Sequence, residues 1–207
     1  MVDITQPTTY IHKTETNFRD VESTPKVGRP CRSTRSSRGN AAMTLDEFNR
    51  WSPDEARDAL LACAHVDRWA EEVAAGRPYA TVDAAAEAAL AAADPWTDDE
   101  IDSALARHPR IGERAEGEAA DASMSRSEQA GVDTSDDDVA RRLVEGNRAY
   151  EQRFGHVFLV RAAGRSAEEI LEQLTERLGN DAETERANAA RNLREIAALR
   201  LKGMLTA

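Results

Sequence analysis

The chain has few of the residues that mark disulfide-bonded, zinc-binding or membrane-spanning proteins. Only two of its 207 residues are cysteines, Cys31 and Cys63, and they form no CxxC motif. Two isolated cysteines support neither a disulfide framework nor a zinc site. No apolar run approaches the roughly 18 residues that a membrane-spanning helix needs, and the N-terminus lacks the apolar core of a signal peptide. We therefore expect a soluble, cytoplasmic protein.

Basic residues are scarce as well, since the formal net charge is −11. Residues 1–43 carry seven Lys and Arg against four Asp and Glu, which leaves 20 against 34 for residues 44–207. Non-specific binding to nucleic acid or to a membrane surface depends on clustered Lys and Arg. We expect neither partner.

Residues 1–42 are rich in Thr, Ser, Arg, Gly and Pro and show neither a helical nor a strand period. Such a segment offers too little apolar surface to offset the entropy lost on ordering. We predict a disordered basic tail over residues 1–42 and one helical domain over residues 43–207. The tail is either dispensable or docks on an acidic partner.

From Thr44 onwards apolar residues recur at helical spacing, which predicts an all-α domain with several helices. Polar residues followed by acids mark the predicted helix starts, because they can cap the first backbone N–H groups. These N-caps are Ser52, Thr97, Ser135 or Asp136, Ser166 and Asp181. Ala84 to Ala93 predicts an alanine-rich helix whose small side chains allow close approach.

His108 lies at a predicted helix C-terminus, because Pro109 disfavours helical geometry in the residue before it. The negative end of the helix dipole and a nearby carboxylate would both raise the pKa of the imidazole. On this hypothesis His108 holds a proton near neutral pH and donates it. Alternatively, the ring only caps the helix by binding its last carbonyl groups.

Ser125, Glu128 and Gln129 lie three and four positions apart, so on a helix they share one face. A hydroxyl, a carboxylate and an amide together form a polar recognition surface. The same spacing also fits a capping box with Ser125 as the N-cap of a short helix that begins at Ser123 or Ser125.

Two later features could contribute to a binding site. His156 to Val160 is too short for a helix of its own, and an extended buried segment has spare backbone groups that a bound ligand could pair with. Arg200 interrupts the apolar stripe of the last helix. It is either a side chain that extends to solvent or a clamp for an anion.

Five motifs in this order resemble one known family. They are His108-Pro109, Ser125-x-x-Glu128-Gln129, Asn147-x-x-Tyr150-x-x-x-Phe154-Gly155, Phe158-Leu159-Val160 leading to Gly164-Arg165-Ser166, and Glu195-Ile196-x-x-Leu199-Arg200-Leu201. Together they resemble the decarboxylases of 2-oxo-4-hydroxy-4-carboxy-5-ureidoimidazoline, OHCU. The resemblance covers about residues 44–205 and leaves out the tail.

The resemblance implies an all-α homodimer that uses neither cofactor nor metal and decarboxylates OHCU to (S)-allantoin in urate breakdown. By position, His108 corresponds to the catalytic proton donor and Glu128 to its acidic partner. The remaining predicted substrate-binding residues are Pro109, Ser125, Arg126, Ser127, Gln129, Phe158, Leu159, Val160, Arg161, Ala162 and Arg200.

The sequence also departs from the family pattern. Relatives commonly carry Phe-Gly-Phe-Pro-Phe where residues 154–158 read Phe-Gly-His-Val-Phe, and small or apolar residues in place of Arg161. Arg161 either points away from the site or contacts an anionic substrate. A non-catalytic helical interaction protein is the main alternative. A metal-dependent hydrolase is disfavoured, because the four histidines form no HExxH motif.

Overall fold

The computed structural model describes residues 43–113, 120–132 and 135–206, and the predicted tail lies outside this range. The predicted all-α class is confirmed, because the described residues form nine helices and one pair of two-residue strands. The elements are β1 Met43–Thr44, α1 Leu45–Arg50, α2 Pro53–Ala64, α3 Asp67–Ala75, α4 Val82–Ala92, α5 Asp98–Leu105, α6 Ala120–Gln129, α7 Asp137–Phe154, α8 Ala167–Arg177, α9 Ala182–Met204 and β2 Leu205–Thr206. No helix in the described ranges is long and apolar enough to cross a bilayer.

Local capping sets most of the helix starts, as the sequence predicts. The hydroxyl groups of Ser52, Thr97 and Ser166 each accept the backbone N–H three residues later, and the glutamate there bonds back to the cap. Asp181 caps α9 by accepting the backbone N–H of Thr184. Gly155 ends α7 in the left-handed conformation, with φ of 78°.

The long helix α9 is the centre of the first hydrophobic core. It packs against α2, α4 and α5, and the small side chains of α4, such as Ala85 and Ala89, are fully buried. Trp69 of α3 is also fully buried, and its indole N–H donates to the carbonyl of Ala89 at 2.8 Å. A buried indole with a satisfied N–H is a packing residue.

A second core lies between α7 and α8, around Tyr150, Phe158 and Leu174. The two helices approach closely at Gly146, where a Cβ atom would lie 2.6 Å from a methyl group of Leu174. Since real Cβ contacts are not this short, a larger residue at this position would require the Leu174 side chain to shift.

The segment from Val157 to Ala162 is neither helix nor strand and runs between the two cores. Phe158 and Val160 pack in the second core, whereas Leu159 packs in the first. In an extended backbone successive side chains point to opposite sides, so one segment can contribute side chains to both cores. The predicted extended, buried segment is therefore confirmed.

Candidate active site

A cavity of about 440 Å³ lies beside this extended segment. Four parts of the chain line it: the turn that follows α5, helix α6, residues 159–163 and the C-terminal half of α9. The lining residues are His108, Pro109, Ile111, Ser123, Met124, Ser125, Ser127, Glu128, Gln129, Leu159, Val160, Arg161, Ala162, Ala163, Ile196, Leu199, Arg200, Gly203 and Met204. Cavities of this size suit small molecules.

Arg200 joins α9 to α6 through the polar face predicted on α6. Its Nε donates to Glu128 Oε1 at 2.6 Å, and its Nη2 donates to Glu128 Oε2 at 2.8 Å and to Ser125 Oγ at 3.0 Å. The Arg200 side chain is 5% exposed and that of Glu128 27% exposed. Bidentate pairing of this kind fixes the orientation of the carboxylate as well as its charge.

Two interpretations of these residues are wrong. Arg200 does not extend to solvent, because it is buried and bonded across the cavity wall. Ser125 does not cap α6, because that helix begins at Ala120 and the Ser125 hydroxyl accepts from Arg200 in the helix interior. The tertiary contact with α9 accounts for both residues.

His108 enters the cavity wall from the turn after α5. Its Nδ1 lies 2.9 Å from the carbonyl oxygen of Ala104, and since a carbonyl can only accept, Nδ1 carries the proton. The imidazole thus caps the C-terminus of α5 by binding a carbonyl group, which is the second interpretation given for His108 from the sequence. Its Nε2 is shielded from solvent and has no hydrogen-bond partner among the described residues.

The expected rise in the His108 pKa is wrong. Burial of the ring and, after it, the positive charge of Arg200 lower the pKa of His108 from 6.5 to about 4. The Ala104 carbonyl and the charges of Glu128 and Asp121 act in the opposite direction but do not outweigh them. At neutral pH the ring is therefore neutral, with Nε2 as a hydrogen-bond acceptor.

His108 and Glu128 line the same cavity, but the carboxylate is held by Arg200. Among the described residues, no hydrogen bond joins the imidazole to Glu128. The two groups nevertheless interact through space, because the carboxylate opposes the fall in the imidazole pKa.

The turn that carries His108 is held by α6 and α7. Gln129 accepts the backbone N–H of Gly112 at 3.1 Å, and Asn147 donates to the carbonyl of Ile111 at 3.2 Å. Arg110 donates to both carboxylate oxygens of Glu151, at 2.5 and 2.8 Å. The Gln129 side chain thus lines the cavity while its amide oxygen secures the turn.

The extended wall is supported from behind by a buried ion pair. Arg177 of α8 donates to the carbonyl of Leu159 at 2.7 Å and to Glu185 of α9, which is fully buried. Tyr150 also donates to Glu185. Burial opposes ionisation of Glu185, but the hydrogen bonds from Arg177, Tyr150 and Asn180 and the charge of Arg177 together outweigh it, and its pKa is lowered.

Two of the predicted site residues do not line the cavity. Phe158 is fully buried in the second core, where the guanidinium of Arg177 lies 4.7 Å from the ring centroid. Arg126 is not among the lining residues either. The other predicted residues, namely His108, Pro109, Ser125, Ser127, Glu128, Gln129, Leu159, Val160, Arg161, Ala162 and Arg200, all line it.

Sequence reasoning missed several residues that shape the site. Ile196, Gly203 and Met204 line the cavity on the same face of α9 as Arg200, and the i−4, i+3 and i+4 spacing from Arg200 could have identified them. The supports Glu151 and Glu185 carry no such local signal. Within the described ranges, no group of three His, Cys, Asp or Glu residues could hold a metal ion.

Several known proteins have sequences similar to this chain, and two of them illustrate the match. A uric acid degradation bifunctional protein from Bacillus sp. (strain TB-90) is 26% identical over 161 residues, which make up 77% of this chain and 32% of that protein. The 2-oxo-4-hydroxy-4-carboxy-5-ureidoimidazoline decarboxylase of Amia calva is 37% identical over 100 residues, 47% of this chain and 57% of that one. The matched part of the chain thus spans about a third and just over half of these two relatives.

Solved structures agree with the sequence matches. A crystal structure of OHCU decarboxylase in the presence of (S)-allantoin superposes with a TM-score of 0.57 at 25% identity, over 70% of this chain and 94% of that chain. A crystal structure of (S)-allantoin synthase superposes with a TM-score of 0.59 at 19% identity, over 79% of this chain and 54% of that chain. At this identity the likeness supports the fold alone. The OHCU decarboxylase family model matches residues 49–202, so the chain belongs to the OHCU decarboxylase family.

Proposed function

We propose that this chain is a cofactor-independent decarboxylase that converts OHCU to (S)-allantoin in urate breakdown. Family membership supports the reaction class. The observation that carries the proposal is the shielded, proton-free Nε2 of His108 in the wall of a cavity that also contains the Arg200-held carboxylate of Glu128. A proton acceptor and an oriented carboxylate in one cavity suit a reaction that moves protons on a polar ring.

The reaction needs no external electron sink. OHCU carries its carboxylate and a hydroxyl group on a ring carbon next to a C=N bond. When CO2 leaves, the bonding electron pair forms a double bond to the neighbouring carbon, and the electrons of the C=N bond pass to the ring nitrogen, which takes up one proton from solvent water. The protein therefore has to orient the substrate and transfer protons.

In this mechanism His108 acts first as a base. Because the imidazole is neutral, Nε2 can accept the proton of the substrate hydroxyl group, which then becomes the carbonyl of the product. The imidazolium that forms returns this proton to the neighbouring carbon, the one that bears the ureido group. The face from which Nε2 delivers the proton sets the configuration of the product.

Glu128 has a second task besides that of acidic partner to His108. Arg200 fixes both carboxylate oxygens, and their remaining lone pairs can accept N–H groups of the ureido substituent. The negative charge also stabilises the imidazolium while it exists, since the carboxylate already opposes the low pKa of His108. Ser127 and residues 159–162 also line the cavity.

The test is the rate of CO2 release from freshly generated OHCU, together with chiral analysis of the allantoin formed. The proposal predicts release faster than in buffer and a single enantiomer, (S)-allantoin. A protein no faster than buffer would instead favour the non-catalytic interaction protein. Activity that survives chelation excludes a required metal. The homodimer implied by the resemblance stays a prediction, which sedimentation analysis can test.

A further inference from the structure

Arg161 differs from the other arginine in the cavity wall. The guanidinium of Arg200 is buried and bonded to Glu128 and Ser125. Arg161 also lines the cavity, but its side chain is exposed, and its guanidinium has no hydrogen-bond or ion-pair partner among the described residues. The charge of Arg161 is therefore available to a ligand, whereas that of Arg200 is already compensated.

The base of the Arg161 side chain is held in place. Its backbone N–H donates to the Oδ1 atom of Asn192 on α9 at 3.3 Å. The residues on either side, Val160 and Ala162, are buried in the second core. The guanidinium therefore extends from a fixed point of the wall, at the rim where the cavity meets solvent.

The charges of the cavity wall make this position significant. His108 is neutral at pH 7, and Glu128 and Arg200 cancel each other. Among the described residues that line the cavity, Arg161 is then the remaining charged one, and it gives this part of the wall a net positive charge. The whole chain carries a net charge of −11, which repels anions. The positive charge at this site instead attracts an anion that approaches the cavity.

We infer that Arg161 binds the carboxylate of the substrate and determines preference for a carboxylated over an uncarboxylated ureide. The inference rests on the proposed function for the identity of the substrate. A guanidinium can bind a carboxylate through two parallel N–H···O bonds, which a lysine cannot reproduce. Arg161 would thus be a specificity residue at the rim, distinct from the proton transfer at His108.

This role has a particular kinetic consequence. The carboxylate carries its full charge in the bound substrate and loses that charge as CO2 departs. An arginine that binds it stabilises the ground state at least as well as the transition state, which lowers KM without raising kcat. Loss of Arg161 should therefore raise KM about three- to tenfold and leave kcat unchanged or slightly higher.

The experiment compares Arg161→Met and Arg161→Lys with Arg148→Met. Arg148 on α7 is also exposed and unpaired among the described residues, but it does not line the cavity. We expect the KM increase only in Arg161→Met, a smaller increase in Arg161→Lys, and a weaker dependence of kcat/KM on salt in Arg161→Met than in wild type. A wild-type KM in Arg161→Met, or an equal increase in Arg148→Met, would overturn the inference.

A binding measurement separates this inference from the proposed activity. Allantoate is a carboxylated ureide, and allantoin is an uncharged one. NMR titration should show allantoate bound at least threefold more weakly by Arg161→Met than by wild type, with allantoin bound equally by both. Equal affinity of both proteins for allantoate contradicts the role of Arg161. A wild-type protein that prefers allantoate through Arg161 but releases no CO2 contradicts the decarboxylase proposal alone.

Discussion

Arg200 and Glu128 lie 72 positions apart in the sequence, yet they form a bidentate ion pair, at 2.6 and 2.8 Å, across the wall of the cavity. The pair ties α6 to the central helix α9 and fixes a carboxylate beside the imidazole of His108. It also has an electrostatic effect, since the guanidinium is the second cause, after burial, of the low pKa of His108. Structure and proton chemistry therefore depend on the same contact.

Replacement of Arg200 by Met should destabilise the protein by about 2 kcal/mol, because a partly buried Glu128 is left without its partner. Lys202→Met is the matched control on the same helix, since the Lys202 ion pair with Asp83 is exposed and should contribute less than about 1 kcal/mol. Urea unfolding of both variants measures the difference. Equal effects of the two substitutions would show that the buried pair has no special importance.

The double variant Arg200→Met with Glu128→Gln should recover part of the lost stability. Once the carboxylate is replaced by an amide, the loss of Arg200 no longer leaves a negative charge without its partner, although the amide keeps some unpaired polar atoms. Unfolding data for the single variant Glu128→Gln complete a double-mutant cycle, which gives the coupling between the two residues. Additive losses would contradict a direct interaction.

The pKa of His108 predicts how stability depends on pH. Between pH 6.5 and about 4 the unfolded chain binds a proton at this imidazole that the folded protein does not bind. The free energy of unfolding contributed by His108 is therefore complete above pH 6.5 and is lost as pH falls towards 4. Relative to His108→Asn, the wild type should lose stability through this window. A stability difference that stays constant from pH 7 to pH 4 would contradict the low pKa.

Removal of the buried negative charge of Glu185, behind the cavity wall, should reduce stability more than replacement of Arg200 does. Glu185→Gln leaves Arg177 without its anionic partner in the protein interior, which typically costs about 3 to 5 kcal/mol. Glu183→Gln, an exposed position in the first turn of the same helix, should change stability by less than about 0.5 kcal/mol. Thermal or urea unfolding of the two variants provides the comparison. Similar losses would mean that the Arg177–Glu185 pair does not support the wall.

The helices could be predicted from sequence because their signals are local. Ser52, Thr97 and Ser166 bond to residues three positions away, so each capping box is complete within one short stretch. The alternation of Phe158, Leu159 and Val160 likewise needs only the period of an extended chain. The predicted start of α6 is wrong, because the Ser125 hydroxyl bonds to Arg200, 75 positions away, and, among the described residues, not to the backbone of its own helix.

The composition of the site could be predicted only in part. The resemblance identifies most of the residues that line the cavity, but it does not reveal which of them contact one another. The protonation state of His108 depends on burial and on the charge of Arg200, and both are products of tertiary packing. A helix C-terminus alone would have raised the pKa, and desolvation reversed the direction.

The central claim is that the neutral imidazole of His108 transfers the proton in OHCU decarboxylation. The most direct measurement is the rate of CO2 release from fresh OHCU by wild type and by His108→Asn, with circular dichroism to verify that the variant is folded. We expect the folded variant to release CO2 about 10² to 10⁴ times more slowly than wild type. A folded His108→Asn protein that releases CO2 at the wild-type rate would contradict it.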